Sequence, residues 1–154
     1  MSATPIQIAL PQETDTAALA ARLAPLLRPG DTLLLDGAIG AGKSAFCRAL
    51  IRTRLGRMED VPSPTFTLVQ TYEDPAGDIW HCDLYRLTHA DEIFELGLEE
   101  AFSTAICLIE WPDRLGADAP DGALKLAFSA GHDAHSVIID ADPDWRRRLG
   151  DLHG

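Results

Sequence analysis

Residues 32–50 read Thr-Leu-Leu-Leu-Asp-Gly-Ala-Ile-Gly-Ala-Gly-Lys-Ser-Ala-Phe-Cys-Arg-Ala-Leu, and no other stretch constrains this chain as much. Gly37, Gly42, Lys43 and Ser44 fill the pattern G-x-x-x-x-G-K-[ST], the signature of a backbone loop that cradles phosphate. Gly37, Gly40 and Gly42 permit tight turns and let N–H groups approach phosphate oxygens that a Cβ would obstruct. Lys43 supplies a point charge for β- and γ-phosphates, and the Ser44 hydroxyl is a ligand type for Mg²⁺. An apolar run over 32–35 precedes the loop. A helical spacing of Phe46, Leu50 and Ile51, closed by Gly56, follows it. The unit is therefore strand, loop and helix, with the anion at the helix N-terminus. A chance match in a chain this long is expected well under about 1% of the time, so the pattern is read as a nucleotide site.

The rest of the chain is arranged around that unit. A short edge strand is expected over 7–9. An amphipathic helix over 13–27 carries Leu19, Leu23, Leu26 and Leu27; Pro25 should kink or shorten it, and Gly30 ends it. The β-rich run that follows Pro62 and Pro64, to Tyr72, and the alternating run 79–85 form a hairpin across Pro75 and Gly77. Thr88 and Asp91 have capping-box-like spacing ahead of a short helix stopped at Gly97, and a second short helix covers 98–102. Five apolar residues over 105–109 read as a buried central strand. Loop follows over 112–121, with room for one helical turn. Next come a hairpin of 123–130 with 136–140, and a last helix capped by Asp142 with Pro143 at its first position. The expected fold is α/β: a three-layer, P-loop NTPase-like arrangement whose mixed sheet has a parallel core and antiparallel hairpins.

At 154 residues, 46% hydrophobic and 24% charged, one domain over 1–154 is expected. No basic-then-apolar leader opens the chain and no apolar run reaches membrane-spanning length, so a cytoplasmic protein without membrane contact is expected. Cys47, Cys82 and Cys107 are odd in number and lie in apolar elements, which suits reduced core residues rather than bridges or zinc ligands. The net charge of −11, with Lys43 and Lys125 as the only lysines, repels phosphate backbones. Any RNA in the function should therefore be held by a partner.

A phosphate loop with Mg²⁺ needs a carboxylate facing it. Asp83 ends Ile-Trp-His-Cys-Asp and Glu110 ends Ile-Cys-Leu-Ile-Glu, at strand tips where ligands gather in α/β sheets. One should hold Mg²⁺, directly or through water, with Glu110 preferred. The other should orient or deprotonate the attacking water, or anchor the first. Trp111 either stacks on a base or packs the pocket wall. Ser63 and Thr65 stand on a proline-stiffened loop and suit a γ-phosphate sensor. Arg86 either counters phosphate charge or lies on the surface. His132 and His135 have the look of a metal pair, a weak signal because their spacing of three lies in a turn without a nearby cysteine or third ligand. Arg146, Arg147 and Arg148 form a solvated face or a docking contact.

Several stretches together resemble one family, TsaE (formerly YjeE), the ATPase of bacterial tRNA threonylcarbamoyladenosine biosynthesis. They are the loop 37–44, Ser-Pro-Thr-Phe-Thr-Leu-Val (63–69), His-Cys-Asp-Leu-Tyr-Arg-Leu (81–87), Glu-Leu-Gly (95–97) and Ile-Cys-Leu-Ile-Glu-Trp-Pro (106–112). The loop is shared by many families; the downstream motifs are far more specific. Beyond residue 112 only the strand–strand–helix layout matches. Ala38 stands where the family usually has an acid, and Ser44 where Thr is commoner; neither removes a phosphate or metal contact.

The resemblance implies ATP and Mg²⁺ as cofactors. Gly40, Ala41, Gly42, Lys43, Ser44 and Ala45 would hold the phosphates, and Ser44 with Glu110 the metal. Asp83, also near the metal, and Thr65 would complete the catalytic set. Trp111 would lie near the nucleotide, and Glu13 near the adenine. It also implies partners, TsaD and TsaB, which build threonylcarbamoyl onto N6 of adenosine 37 while tRNA is met only through them. Two other readings of the loop remain: a small-molecule kinase, though Arg114 is the only arginine between Arg86 and the tail to build a lid, and a non-catalytic ATP-gated adaptor. A GTPase is excluded on its recognition motif, because the chain contains no asparagine for N-K-x-D. No residue is an evident arginine finger, so partner docking is expected to complete the catalytic site.

Overall fold

The computed structural model describes residues 5–37, 41–56, 69–75, 77–85, 97–130 and 135–150, with the side chains of 116–118 set aside. The leucine-rich run before the loop becomes β2 (Thr32–Asp36), whose first four residues are all buried. It lies at the middle of a seven-stranded sheet ordered β1-β7-β6-β2-β5-β4-β3. The others are β1 (Ile6–Leu10), β3 (Val69–Tyr72), β4 (Ile79–Asp83), β5 (Ile106–Glu110), β6 (Leu124–Ala130) and β7 (His135–Asp140).

β2 runs parallel to both β5 and β6, and β4 runs parallel to β5. β3 pairs antiparallel with β4, β7 with β6, and β1 with β7. The core is thus parallel and the margins antiparallel, as the hairpin signals require. All five residues of β5 are buried, as befits an interior parallel strand covered on both faces. β6 and β7 instead alternate buried with exposed, the pattern of strands with one packed face.

One face of the sheet packs Leu33, Leu35, Leu126 and Val137 against α1 (Glu13–Leu23), α2 (Lys43–Leu55) and Trp145 and Leu149 of α4 (Pro143–Leu149). The other packs Leu34, Cys82, Cys107 and Ile109 against Leu98 and Ala101 of α3 (Leu98–Thr104) and Leu115. That makes three layers, helix–sheet–helix. Burying these leucines and isoleucines contributes about 1.5–3 kcal/mol each before chain entropy is counted, which explains why β2 and β5 tolerate almost no polar residue.

Pro25 shortens the first helix as its chemistry demands: α1 stops at Leu23 and a 3-10 turn, Ala24–Leu26, carries the chain round. α2 ends at Gly56, whose φ of 69° is the left-handed cap. Asp142 caps α4 through its Oδ1, which accepts from Trp145 N at 2.9 Å. Small boundary differences have local causes. β4 ends at Asp83 because its partner β5 ends at Glu110, where Trp111 turns away at φ 61°; the last bond between them runs from Leu84 N to the Glu110 carbonyl. The helix expected over 98–102 is α3, with Gly97 at φ 82° as its N-cap, and it runs on to Thr104. The 112–121 loop holds a 3-10 segment, Pro112–Asp118, longer than the single turn expected. The helix expected before Gly97, the 61–68 segment with Ser63 and Thr65, Ala38, Gly40, Arg86 and His132 lie outside the described residues.

Candidate functional site: a phosphate loop facing two strand-tip acids

The sheet places three carboxylates at the carboxyl ends of adjacent parallel strands: Asp36 on β2, Glu110 on β5 and Asp83 on β4. Leu35 pairs with Glu110, and Glu110 with Asp83, so those two acids share the sheet face of Leu33 and Leu35 that α2 covers, while Asp36, like Leu34, belongs to the opposite face. Gly37 leaves β2 at φ 135°, and a Cβ there would stand 2.5 Å from the Phe128 carbonyl oxygen of β6. Only glycine fits that position. Gly42, at φ 107°, is the N-cap of α2, and Ala41 beside it is buried. The first N–H groups of α2 therefore open toward the acids, with the positive end of the helix dipole behind them.

Lys43 is almost fully buried. A buried ammonium must find partners, and this one donates from Nζ to the Gly37 carbonyl at 2.6 Å and lies 3.8 Å from the centroid of the Trp111 ring. Trp111 is itself unusual: at φ 61° it is the one non-glycine residue with positive φ among those described. For so bulky a side chain that conformation costs on the order of 1–3 kcal/mol, and such strain concentrates at functional sites. The Trp111 amide donates to the Leu35 carbonyl at 3.3 Å, and its ring leans on Tyr85 at 4.8 Å, so the backbone and a second ring hold it over Lys43.

Ser44 Oγ donates to Glu110 Oε1 at 3.2 Å. Adjacent oxygens around an octahedral Mg²⁺, bonded at about 2.0–2.1 Å, stand about 3 Å apart. The pair is therefore spaced as two neighbouring ligands of one such ion, and hydroxyl plus carboxylate is the hard-oxygen chemistry that Mg²⁺ takes. The other carboxylate oxygen, Oε2, lies 2.7 Å from Nε2 of His81, and both side chains are buried. Asp83 is half-buried, and its Oδ1 accepts from Tyr85 N at 3.1 Å. Burial pushes its carboxyl up, and the nearby Glu110 charge adds to that, against the opposing pull of the Tyr85 amide, His81 and Lys43. A carboxyl held toward its protonated form is suited to exchanging a proton with water.

The structure thus brings Lys43, Ser44, Asp83, Glu110 and Trp111 to one place. Glu13 and Ala45 meet a little apart, lining with Thr14, Ala17, Arg48, Ala49 and Arg52 a groove of about 230 Å³ between α1 and α2. That groove opens beside the first turn of α2. His135 lies at the exposed start of β7, and Arg148 pairs with Asp31 rather than facing the site. The cysteines are all buried and free.

His81 is the residue that sequence reasoning passed over. The run Ile-Trp-His-Cys-Asp puts His81 on the same strand face as Asp83, a signal that was available, yet the alternation alone suggests a solvent face. In the sheet that face is roofed by α2, and His81 is 1% exposed. Cys47, in the second turn of α2, closes the same corner: a sulfur, an imidazole and a carboxylate lie within 4.8 Å of one another.

A glycine-rich loop between a central parallel strand and a helix, faced by acids on neighbouring strand tips, defines a protein of the P-loop NTPase-like α/β class. Within that class the chain belongs to the TsaE family: residues 10–137 match the profile of "Threonylcarbamoyl adenosine biosynthesis protein TsaE". The tRNA threonylcarbamoyladenosine biosynthesis protein TsaE of Rickettsia bellii is 47% identical over 107 residues, 70% of this chain and 74% of that one. Its namesake in Bacillus subtilis is 36% identical over 129 residues, 82% and 80% of the two chains. The crystal structure of B. subtilis YdiB superposes with a TM-score of 0.76 at 27% identity, covering 97% of this chain and 93% of that one. Among the described residues no helix is long and apolar enough to cross a membrane.

Proposed function

We propose that this chain is a Mg²⁺-dependent ATPase that serves threonylcarbamoylation of N6 of adenosine 37 in tRNA, acting with TsaD and TsaB. The observation that carries the reading is the Ser44–Glu110 oxygen pair, 3.2 Å apart at the start of α2 and next to a buried lysine. Family membership supports the pathway, since the relatives are named for that modification.

In this reading the Gly42 cap and the first N–H groups of α2 receive phosphate oxygens, and Lys43 exchanges the Gly37 carbonyl for them. Ser44 Oγ and Glu110 Oε1 would hold Mg²⁺, whose charge would offset that on the phosphates. Asp83, with its raised carboxyl, orients the attacking water and takes its proton. Trp111 screens Lys43 from solvent, which strengthens its field in the pocket. Glu13 and Ala45 flank the groove suited to the adenine. Thr65, carried over from the family motif, would complete the catalytic set. A chain of net charge −11 leaves tRNA to its partners, and those partners complete the catalytic site by docking.

The test is phosphate release from ATP by the wild type and by Glu110→Gln, alone and with TsaD and TsaB. The variant should retain ATP and lose turnover, and partners should accelerate the wild type only. Equal turnover by wild type and variant would remove Glu110 from the reaction. Intact tRNA modification with the variant would instead make the chain an ATP-gated adaptor, and phosphoryl transfer to a small acceptor would make it a kinase.

A further inference from the structure

We infer that His81 is a positioning residue: it grips Oε2 of Glu110 and so presents Oε1, beside Ser44, to the divalent cation. The inference rests on the magnesium–nucleotide reading above for its purpose, but its geometry stands independently. A carboxylate that ligates a metal is ionised and can only accept hydrogen bonds, so in that state the 2.7 Å contact places the proton on Nε2. The other ring nitrogen agrees. Nδ1 is buried and has no hydrogen-bond partner among the described residues, so a proton there would be stranded. Both nitrogens therefore assign one tautomer, with Nε2–H donating and Nδ1 bare.

The sheet register gives this contact its direction. His81 pairs with Leu108 and Asp83 with Glu110, so His81 stands two residues back along β4 on the same face. Its ring reaches diagonally to the inner oxygen of Glu110, while the outer oxygen meets Ser44 Oγ from α2. Three elements thus hold one carboxylate at both ends. Without the ring, the buried carboxylate loses its inner donor and is free to turn about its last torsion, and the pair of metal-facing oxygens is no longer fixed.

The same corner could be taken for a transition-metal site, since Cys47, His81 and Glu110 offer ligand atoms within 4.8 Å of one another. The ring argues against it. A metal on Nε2 would drive the proton to Nδ1, and a metal-bound histidine needs an acceptor there that the described residues do not supply. Cys47 is moreover held as a neutral thiol, chiefly by burial.

Two variants and one spectrum decide the matter. Gln at position 81 places an amide N–H₂ where Nε2 stood; Leu fills the space with no donor. Mn²⁺ binding in the presence of a non-hydrolysable ATP analogue, followed by electron paramagnetic resonance, should weaken about 10–100-fold in His81→Leu and recover most of the loss in His81→Gln. Metal-free ATP affinity should be the same in all three. Equal Mn²⁺ affinity in wild type and His81→Leu overturns the proposal, and so does His81→Gln failing as badly as His81→Leu. The long-range ¹H–¹⁵N spectrum of the unliganded protein should show His81 with protonated Nε2 and bare Nδ1; the opposite tautomer overturns it without any nucleotide. A wild type that binds no ATP would sink the nucleotide reading, and the spectrum alone would then judge the hold on Glu110.

Discussion

Replacing Gly37 with alanine should destabilise the fold through two separable effects, and the structure supplies a control for one of them. At φ 135° an L-residue is strained, at a cost of about 1–3 kcal/mol. The added Cβ would also stand 2.5 Å from the Phe128 carbonyl oxygen and 3.3 Å from its carbonyl carbon. Those are backbone atoms of β6, and the Phe128 ring is packed against Phe46 of α2 at 5.5 Å, so β6 cannot simply step aside. Overpacking of this kind costs about 1–3 kcal/mol more, so Gly37→Ala should lose about 2–6 kcal/mol. Gly56→Ala isolates the backbone effect, because Gly56 also has positive φ (69°) but nothing lies within 4 Å of its Cβ position. It should lose only about 1–2 kcal/mol. Urea unfolding of both variants, with unchanged m-values, measures the difference. Equal losses in the two would show that the approach of β6 to the loop imposes nothing, and the account of why glycine stands at 37 would fail. The Gly37 carbonyl is also the acceptor for Lys43, so Gly37→Ala should weaken ATP binding as well as the fold.

Lys43→Met keeps the apolar stem and removes the charge; losing charge-assisted bonds worth about 1.5–3 kcal/mol should weaken ATP binding about 10–100-fold by calorimetry, and full affinity would refute the assignment. Folding raises the Asp83 pKa above its ordinary 3.8, so the stability this group contributes is fully present below that value and is lost as pH rises through the elevated one. Asp83→Asn escapes that loss. It should match the wild-type melting temperature near about pH 3 and exceed it progressively toward about pH 7; a variant that melts lower at neutral pH would contradict the shift. Burial pushes the Cys47 and Cys82 thiols well up and Cys107 to about 12, so an aromatic disulfide reagent at neutral pH should label none of them in the native protein and all three in denaturant. A single fast-reacting native thiol would show that one of the helices covering the sheet opens readily.

Much of the fold could be read because the signals are local. Asp142 and Pro143 start α4, Gly56 closes α2, and Pro25 shortens α1 through the chemistry of the residue itself, whatever it packs against. The β3–β4 and β6–β7 hairpins pair strands that are near neighbours in sequence. Misjudged boundaries fall where a long-range contact decides, as after Asp83, where β4 ends because its partner β5 turns away at Trp111.

The site divides in the same way. By themselves the residues determined the phosphate loop, since glycine, lysine and hydroxyl at fixed spacing are chemical requirements that need no neighbours to state. They also determined that Asp83 and Glu110 end strands, because apolar runs stop at an acid. Only the tertiary structure decided that β4 and β5 lie side by side, which of the two acids meets Ser44, and that His81 lies under α2 rather than in water. Only it decided, too, that Trp111 takes a left-handed turn to cover Lys43. The physical reason is that a period-two alternation tells which side chains share a face but not what covers that face. That choice is made by elements tens of residues away, when the sheet and helices close over one another.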